Sequence, residues 1–314
     1  MSSNSRLPVN QEAPPDRGHL LTEQRLSASA DLDALSIDRT LELINQQDAT
    51  VAAVARAAIG SIRPVVEKVV AALRRGGRLI YIGAGTSGRL GVLDASECPP
   101  TFCTDPHQVV GMIAGGDTAL RRSSEGKEDD PDGAQRELDR LEVGALDVVV
   151  GIAAGSTTPY VLGAIRIAAD RGAVTALISC AAGKSSPADH LIELPVGPEV
   201  VTGSTRMKAG TATKLVLNMI STAVMVQLGK TWGNLMVDMK ATNDKLRDRA
   251  VRILSTQCDL SRPQALEWLK QADNRVKIAL IMAKLAVDTA AAERLLVQND
   301  QKLRPILGAP RDVT

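Results

Sequence analysis

The fold is decided by one stretch of the sequence, which reads Leu79-Ile80-Tyr81-Ile82-Gly83-Ala84-Gly85-Thr86-Ser87-Gly88-Arg89-Leu90-Gly91 and continues to Asp94-Ala95-Ser96-Glu97-Cys98-Pro99-Pro100. A short apolar run rich in β-formers stops at a glycine loop with two hydroxyls, and a helical pattern follows. Such a strand delivers backbone N–H groups and a helix N-terminus to an anion. We therefore interpret residues 85–88, the first turn, as a phosphate-binding loop.

The same helix carries a carboxyl group, Glu97, towards its far end. The double proline Pro99-Pro100 is expected to end this helix, so that one continuous element presents both an anion site and an acid. Partial burial would keep Glu97 protonated, and an ordinary exposed glutamate is the alternative. A second group of carboxyls lies in residues 124–130, where the composition alone is typical of a solvated charged loop.

Alternating strand and helix patterns continue along the chain. Apolar β-rich runs occupy residues 79–82, 109–113, 147–152, 174–179 and 191–196. Stretches long enough for crossover helices separate them, which predicts an α/β fold, a three-layer α/β/α sandwich around a five-stranded parallel sheet. We expect a disordered tail over residues 1–20, this domain with N-terminal helices over 21–240, and a small all-helical cap domain over 241–314.

Composition excludes several classes of function. The chain has 314 residues and a formal net charge of +1, and aromatic residues make up 2%, which disfavours nucleic acid as a partner. The four cysteines have no metal-ligand spacing, which disfavours a zinc site or a disulfide framework and leaves a Cys98–Cys103 redox pair as the alternative to isolated thiols. We expect no metal and no cofactor. No segment was expected to reach the length of a membrane span, and the N-terminus lacks a signal pattern. A cytoplasmic protein is predicted.

Two further turns share the composition of the first. Ligands of open α/β sheets bind beyond the carboxyl ends of the strands, where the second turn (154–159) and the third turn (202–206) also carry hydroxyls. A lone Ser or Thr at such a place is usually a helix N-cap. Three hydroxyl-rich turns at one sheet edge instead favour a phosphorylated or polyhydroxylated ligand.

A dinucleotide is the alternative ligand for the first turn. Gly83, Gly85 and Gly88 satisfy the G-x-G-x-x-G pattern, but the second strand is followed by no acidic residue before Asp117. The hydroxyls of the later turns fit a sugar phosphate better.

The motifs at residues 83–91, 94–100, 125–129 and 202–211 resemble those of the N-acetylmuramic acid 6-phosphate etherases, and the similarity extends over about residues 21–246. The resemblance implies a sugar isomerase-type phosphosugar-binding domain and a homodimer with sites near the subunit interface. It also implies cleavage of the lactyl ether of N-acetylmuramic acid 6-phosphate to N-acetylglucosamine 6-phosphate and D-lactate, a lyase step in cell-wall sugar recycling.

The resemblance also assigns roles to residues. Glu97 corresponds to the family's acid and Glu128 to its second catalytic glutamate. The phosphosugar is expected to contact hydroxyls and amides of the three turns and one lysine that follows them. These predicted binding residues are Gly85, Thr86, Ser87, Gly88, Ser156, Thr158, Ser204, Thr205 and Lys208.

The second turn departs from the family pattern. The usual Ala-Ser-Gly-Arg-Thr-Pro-Tyr is replaced by Ala154-Gly155-Ser156-Thr157-Thr158-Pro159-Tyr160, so an arginine is missing and the serine has moved by one. A non-catalytic phosphosugar sensor like the glucokinase regulatory protein, and a ketose–aldose phosphosugar isomerase, are therefore retained as alternatives. Release of lactate distinguishes the etherase from both.

Overall fold

The computed structural model describes residues 16–183, 186–239 and 243–311. Most of the predicted tail, residues 1–15, lies outside the described residues, as do residues 240–242 at the predicted domain boundary. Leu20, the last residue of that predicted tail, is buried.

A five-stranded parallel sheet forms the centre of the fold, as predicted. Its spatial order is β2-β1-β3-β4-β5, and each neighbouring pair is parallel. The strands are β1 (Leu79–Gly83), β2 (Val109–Ile113), β3 (Val148–Ile152), β4 (Val174–Ser179) and β5 (His190–Glu193).

Helices cover both faces of the sheet, which confirms the three-layer architecture. Leu79 and Tyr81 belong to a core with α2, α3, α4 and α7, whereas Ile80 and Ile82 belong to a core with α5 and α6. Burial on both faces explains why the strands read as continuous apolar runs. The helices are α1 (Ile37–Asp48), α2 (Val51–Ala57), α3 (Ile59–Arg74), α4 (Gly85–Phe102), α5 (Gln135–Arg140), α6 (Pro159–Asp170) and α7 (Lys208–Gln227).

The C-terminal part has a hydrophobic core of its own. It begins with a short hairpin whose Trp232 is 1% exposed and donates from Nε1 to Gly308 O at 2.8 Å. Its core thus starts before residue 241, and the domain boundaries stay predictions. The elements are β6 (Thr231–Trp232), β7 (Leu235–Met236), α8 (Asp244–Cys258), α9 (Arg262–Gln271), α10 (Val276–Leu285), α11 (Thr289–Gln298) and α12 (Arg304–Leu307).

Helix α7 corrects the expectation about membrane-spanning length. Its 20 residues are long and apolar enough to cross a membrane by length and composition, and 56% of the apolar window is buried inside the protein. The bent pair formed by residues 37–57 and 59–74 also passes the test when taken as one segment. Because α7 packs against α2, α3 and α4, its apolar side chains are explained as the core of the domain.

The double proline does not end α4 where expected. The helix passes Pro99 and Pro100 and continues to Phe102, and Cys103 then adopts a left-handed conformation. Proline has a backbone φ that suits a helix, but it removes the hydrogen bond to the carbonyl four residues earlier and its ring crowds that carbonyl. At the end of a helix this loss is tolerated, so the prolines lie within the final turns of α4.

Close contact between α4 and the sheet depends on glycine. A Cβ atom on Gly88 would lie 2.6 Å from Ile113 Cγ1 and 2.7 Å from Gly83 O. Both distances are shorter than any van der Waals contact, and one neighbour is backbone that cannot move aside. Glycine at position 88 therefore allows the first turn to sit directly on β1 and β2.

We predict that Gly88→Ala lowers the free energy of unfolding by about 1–3 kcal/mol, the usual cost of overpacking. The matched control is Gly60→Ala in α3, where an added Cβ meets nothing within 4 Å. That control is expected to raise stability by about 0.5–1 kcal/mol, because alanine is the better helix former. Urea unfolding of both variants checks the pair, and equal stability of Gly88→Ala and the wild type would contradict the packing argument.

Candidate functional site

The sheet register places the three turns at one edge. Gly83 at the end of β1 is opposite Ile152 of β3 and Ile113 of β2, so the residues that follow these strands are neighbours. The first and third turns also approach each other, since a Cβ atom on Gly210 would lie 3.5 Å from Thr86 Cγ2 and 3.5 Å from Thr205 O. Residues 100 or more positions apart in the chain are thereby brought together.

The hydroxyls of the turns do not act as helix N-caps. The N-cap residues of α4, α6 and α7 are Ala84, Thr158 and Met207, and none of these three described helices has a side-chain hydrogen bond from its N-cap residue. The usual explanation for Ser and Thr at such positions therefore does not apply here. This leaves the turns with hydroxyl groups suited to a polar ligand.

The first turn begins α4 with an unusual backbone. Gly85 has a φ of 52°, which favours glycine, and Thr86 and Ser87 are half-buried in the first helical turn. The first amide groups of a helix have no acceptor within the helix, and the helix dipole favours an anion there. The predicted residues Gly85, Thr86 and Ser87 thus form a suitable place for a phosphoryl group, whereas the amide of the predicted residue Gly88 already donates to Ala84 O at 3.2 Å.

The second turn is held by a contact between hydroxyls. Ser156 has a positive φ of 57°, and its Oγ lies 2.5 Å from Oγ of Ser179, the last residue of β4. Thr158 is half-buried at the start of α6. Sequence reasoning missed Ser179, because only the turns after the strands were searched and this serine is still within its strand.

The start of α7 is already occupied by a carboxylate. Glu199 is 1% exposed and accepts hydrogen bonds from the backbone of Lys208 at 3.1 Å and of Ala209 at 2.9 Å. These two amides are therefore not available to a ligand. The predicted binding residues of the third turn, Ser204 and Thr205, are both half-buried. Sequence reasoning missed Glu199, and no motif marks it.

Lys208 is buried beside this carboxylate. Lys208 is 3% exposed, and its Nζ donates a hydrogen bond to Gln47 Oε1 of α1 at 2.8 Å. Burial lowers the pKa of Lys208, while Glu199 and Asp48 oppose the shift. The described contacts of Lys208 thus join α7 to α1, and its role in ligand binding stays a prediction.

Glu128 lies next to the first turn. It lines a small cavity of about 40 Å³ together with Gly85, Arg89, Ser123 and Ser124. The backbone carbonyl of Glu128 accepts from Tyr160 N at 3.0 Å, which ties this loop to the start of α6. The structure therefore brings the predicted second glutamate to the predicted phosphate site.

Arg89 supports the same loop from α4. Its Nε donates to Leu120 O at 3.2 Å and its Nη2 donates to Arg122 O at 3.4 Å. The arginine thereby fixes the chain leading to Ser123, Ser124 and Glu128. It was part of the sequence motif but was given no role.

Glu97 is not brought to this place within one chain. It follows Gly85 by twelve helical residues, which corresponds to about 18 Å along α4 at 1.5 Å per residue. Its side chain is exposed, so the expected partial burial is not found in the single chain. The idea that one helix offers an anion site and an acid to the same small ligand is therefore wrong for a single chain, because the two ends of α4 are too far apart.

The buried carboxyl of α4 is Asp94, one turn before Glu97. Asp94 is 5% exposed and accepts at Oδ1 from Asn218 Nδ2 at 2.8 Å and Ser221 Oγ at 3.0 Å, both on α7. Burial raises the pKa of Asp94, and these hydrogen bonds oppose the shift. The signal in the sequence was a charged residue within the apolar face of the helix. Asp94 thereby joins α4 to α7 one turn before Glu97.

We predict that Glu199→Ala lowers the free energy of unfolding by about 2–4 kcal/mol, because two buried charge-assisted hydrogen bonds at the start of α7 are lost. Glu193→Ala is the control, since Glu193 accepts one backbone hydrogen bond, from the exposed Gly183 at 2.6 Å. A loss below about 1 kcal/mol is expected for the control. Chemical unfolding measures both, and similar small losses would show that Glu199 does not stabilise α7.

One structural comparison gives a remote similarity. A phosphoheptose isomerase from Francisella tularensis matches with a TM-score of 0.43 and 15% sequence identity, over 60% of this chain and 98% of that chain. We draw no argument from a similarity at this level.

Comparison with known sequences gives close relatives. The family model of the glucokinase regulatory protein N-terminal SIS domain matches residues 61–169. N-acetylmuramic acid 6-phosphate etherase from Gloeobacter violaceus is 57% identical over 85% of this chain and 88% of the relative. The etherase of the same name from Prochlorococcus marinus is 48% identical over 96% of both chains. The chain belongs to the N-acetylmuramic acid 6-phosphate etherase family.

Proposed function

We propose that this protein is a carbon–oxygen lyase that cleaves the D-lactyl ether of N-acetylmuramic acid 6-phosphate. The products are N-acetylglucosamine 6-phosphate and D-lactate. The observation that carries this proposal is the position of Glu128, which lines one cavity with Gly85 of the first turn. A phosphosugar bound by its phosphoryl group at that turn has a carboxylate beside it. The etherase names of relatives along nearly the whole chain support the same substrate.

The phosphoryl group binds at the first turn, with hydroxyls of the other two turns around the sugar. Residues 85–88 supply the helix N-terminus, Ser156 and Thr158 the second turn, and Ser204 and Thr205 the third. Binding energy from the phosphoryl group, which does not react, can be used to orient the reacting carbons.

The reaction starts from the ring-opened sugar, because an alkyl ether is inert unless the adjacent carbon can lose a proton. The aldehyde at C1 makes the C2 proton acidic, and a carboxylate removes it. The bond between C3 and the ether oxygen then breaks, and Glu97 donates a proton to the departing D-lactate oxygen. Water adds to C3 of the unsaturated aldehyde with Glu128 as base, and C2 regains a proton. One water molecule is consumed in total.

Glu97 reaches the substrate from a second subunit in this proposal. The distance of about 18 Å along α4 excludes both ends of one helix from the same sugar. A homodimer in which Glu97 of one chain completes the site of its partner satisfies this constraint. Its exposed position on a single chain fits such a role, and Leu93, one turn earlier, is 44% exposed.

An apolar groove between α3 and α7 supports the homodimer. The groove has a volume of about 920 Å³, and its lining includes Ile59 and Met219, which are 53% and 36% exposed. Arg63 and Glu67 also line it and pair with each other along α3 at 2.8 Å. A symmetric dimer would bring the same groove of two copies together. Contiguous exposed apolar surface of this kind is typical of protein interfaces.

We further propose a cytoplasmic location, where phosphorylated sugars are metabolised.

We expect the wild-type protein to release D-lactate from N-acetylmuramic acid 6-phosphate, and ¹⁸O from labelled water to appear at C3 of the sugar. Labelled sugar is required by elimination followed by hydration, because the ether oxygen leaves with the lactate. Unlabelled sugar would contradict this route, and absence of lactate would favour the sensor or the isomerase.

Glu97→Gln should reduce turnover by about 10²–10⁴, the usual size of a general-acid effect, while binding of the product N-acetylglucosamine 6-phosphate is retained.

Mixing two inactive variants tests whether Glu97 acts across the dimer. Equal amounts of Glu97→Gln and Glu128→Gln chains are unfolded and refolded together. About half of the resulting dimers then contain one chain of each variant. Each mixed dimer then has one site with both glutamates, so about a quarter of the wild-type activity should return. Each variant refolded alone is the control. Activity that stays at the level of the controls, despite mixed dimers detected by mass, would contradict action between subunits.

A further inference from the structure

The N-terminal segment crosses the candidate site. A Cβ atom on Gly155 of the second turn would lie 3.6 Å from Thr22 Oγ1 and 3.7 Å from Leu20 Cδ1. A Cβ atom on Gly203 of the third turn would lie 3.4 Å from Glu23 Oε2. Residues 20–23, here named the strap, thus contact two of the three hydroxyl-rich turns. No sequence pattern had linked them to the site.

Thr22 is the unusual residue of the strap. It is 2% exposed, and among the described residues its hydroxyl has no hydrogen-bond partner. Leaving a buried hydroxyl without a partner costs about 1–3 kcal/mol. Two hydroxyls lie near the Cβ position of Gly155, Thr22 Oγ1 at 3.6 Å and Thr157 Oγ1 at 3.4 Å.

We propose that the strap is part of the substrate site and that the Thr22 hydroxyl donates a hydrogen bond to an oxygen atom of the phosphosugar held at the second turn. This inference rests on the proposed function. A ligand oxygen provides a hydrogen-bond partner for a hydroxyl that has none among the described residues. A hydrogen bond from Thr22 to the ligand offsets the desolvation cost of the hydroxyl, so a bound ligand stabilises the closed strap further.

The backbone of the strap permits such movement. The described segment before Ser27 contains turns but no helix or strand. The backbone hydrogen bonds from Leu20 N to Arg17 O and from Glu23 N to Leu20 O stay within residues 17–23. Lifting the strap therefore need not break either of these bonds. Leu20, which is 3% exposed, anchors it by apolar contact with the second turn. Because the Thr22 hydroxyl is shielded from solvent, the ligand enters while the strap is lifted and contacts Thr22 after it closes.

The test uses Thr22→Val, which keeps the shape of the side chain and removes the hydroxyl. Thr104→Val is a matched control, because Thr104 is also buried, at 6% exposure, has a hydroxyl without a described partner, and lies after α4 outside the three turns. Both variants should melt about 2 °C higher than the wild type, since each loses an unpaired buried hydroxyl.

Affinity for the phosphosugars is expected to distinguish Thr22→Val from Thr104→Val. Thr22→Val should raise the KM for N-acetylmuramic acid 6-phosphate and weaken calorimetric binding of N-acetylglucosamine 6-phosphate by about tenfold, whereas Thr104→Val changes neither. Thr22→Ser, which restores a hydroxyl, should recover most of the affinity. Unchanged affinity of Thr22→Val for both ligands would overturn the proposal and assign Thr22 a packing role only.

The same measurements distinguish failure of the strap from failure of the proposed function. If the wild type releases lactate and Thr22→Val has wild-type affinity, only the strap is wrong. If the wild type releases no lactate but binds N-acetylglucosamine 6-phosphate more tightly than Thr22→Val does, the etherase activity is wrong and the strap stands. If the wild type binds neither sugar, both proposals are overturned.

Discussion

The close approach of α4 to the sheet is the constraint on which the site depends. Gly88 touches β1 and β2, and a Cβ atom on Gly111 of β2 would lie 2.5 Å from Val92 Cα of α4. Glycine on both surfaces brings the helix axis near the strands, so that α4 starts directly where β1 ends. The position of the first turn is then fixed by backbone packing on both sides. A phosphoryl group that binds there meets a turn which is already formed, so little ordering of this turn is needed on binding.

Local patterns predicted the fold well and the site in part. All five strands and the turns that follow β1 and β3 could be read from runs of apolar residues and glycine, because these signals depend on neighbouring positions. Glu199 and Thr22 escaped prediction, since their roles depend on contacts with residues far along the chain. The prolines of α4 misled for a related reason, because the cost of proline depends on its position in a helix, and that position is set by tertiary packing.

The two glutamates illustrate the difference between a motif and a site. Both lie in sequence motifs, and the first motif also contains the phosphate-binding turn. Helix geometry nevertheless separates Glu97 from Gly85, whereas the loop that carries Glu128 returns to the first turn from β2. Gly85 and Glu97 are therefore close in the sequence but far apart in the structure. Buried Asp94, bonded to α7, holds α4 with Glu97 on the outer side, where another molecule can meet it.

The prolines of α4 have a consequence for how stiff the end of this helix is. Pro99 and Pro100 carry no amide hydrogen, so the carbonyls of Ala95 and Ser96 lack the donors that would normally close the turn around Glu97. A hydrogen bond of this kind contributes about 0.5–1.5 kcal/mol to stability, so the turn that carries Glu97 is held less firmly than a fully bonded turn. Small adjustments of the Glu97 carboxyl group therefore require little distortion of the sheet or of the distant phosphate-binding end.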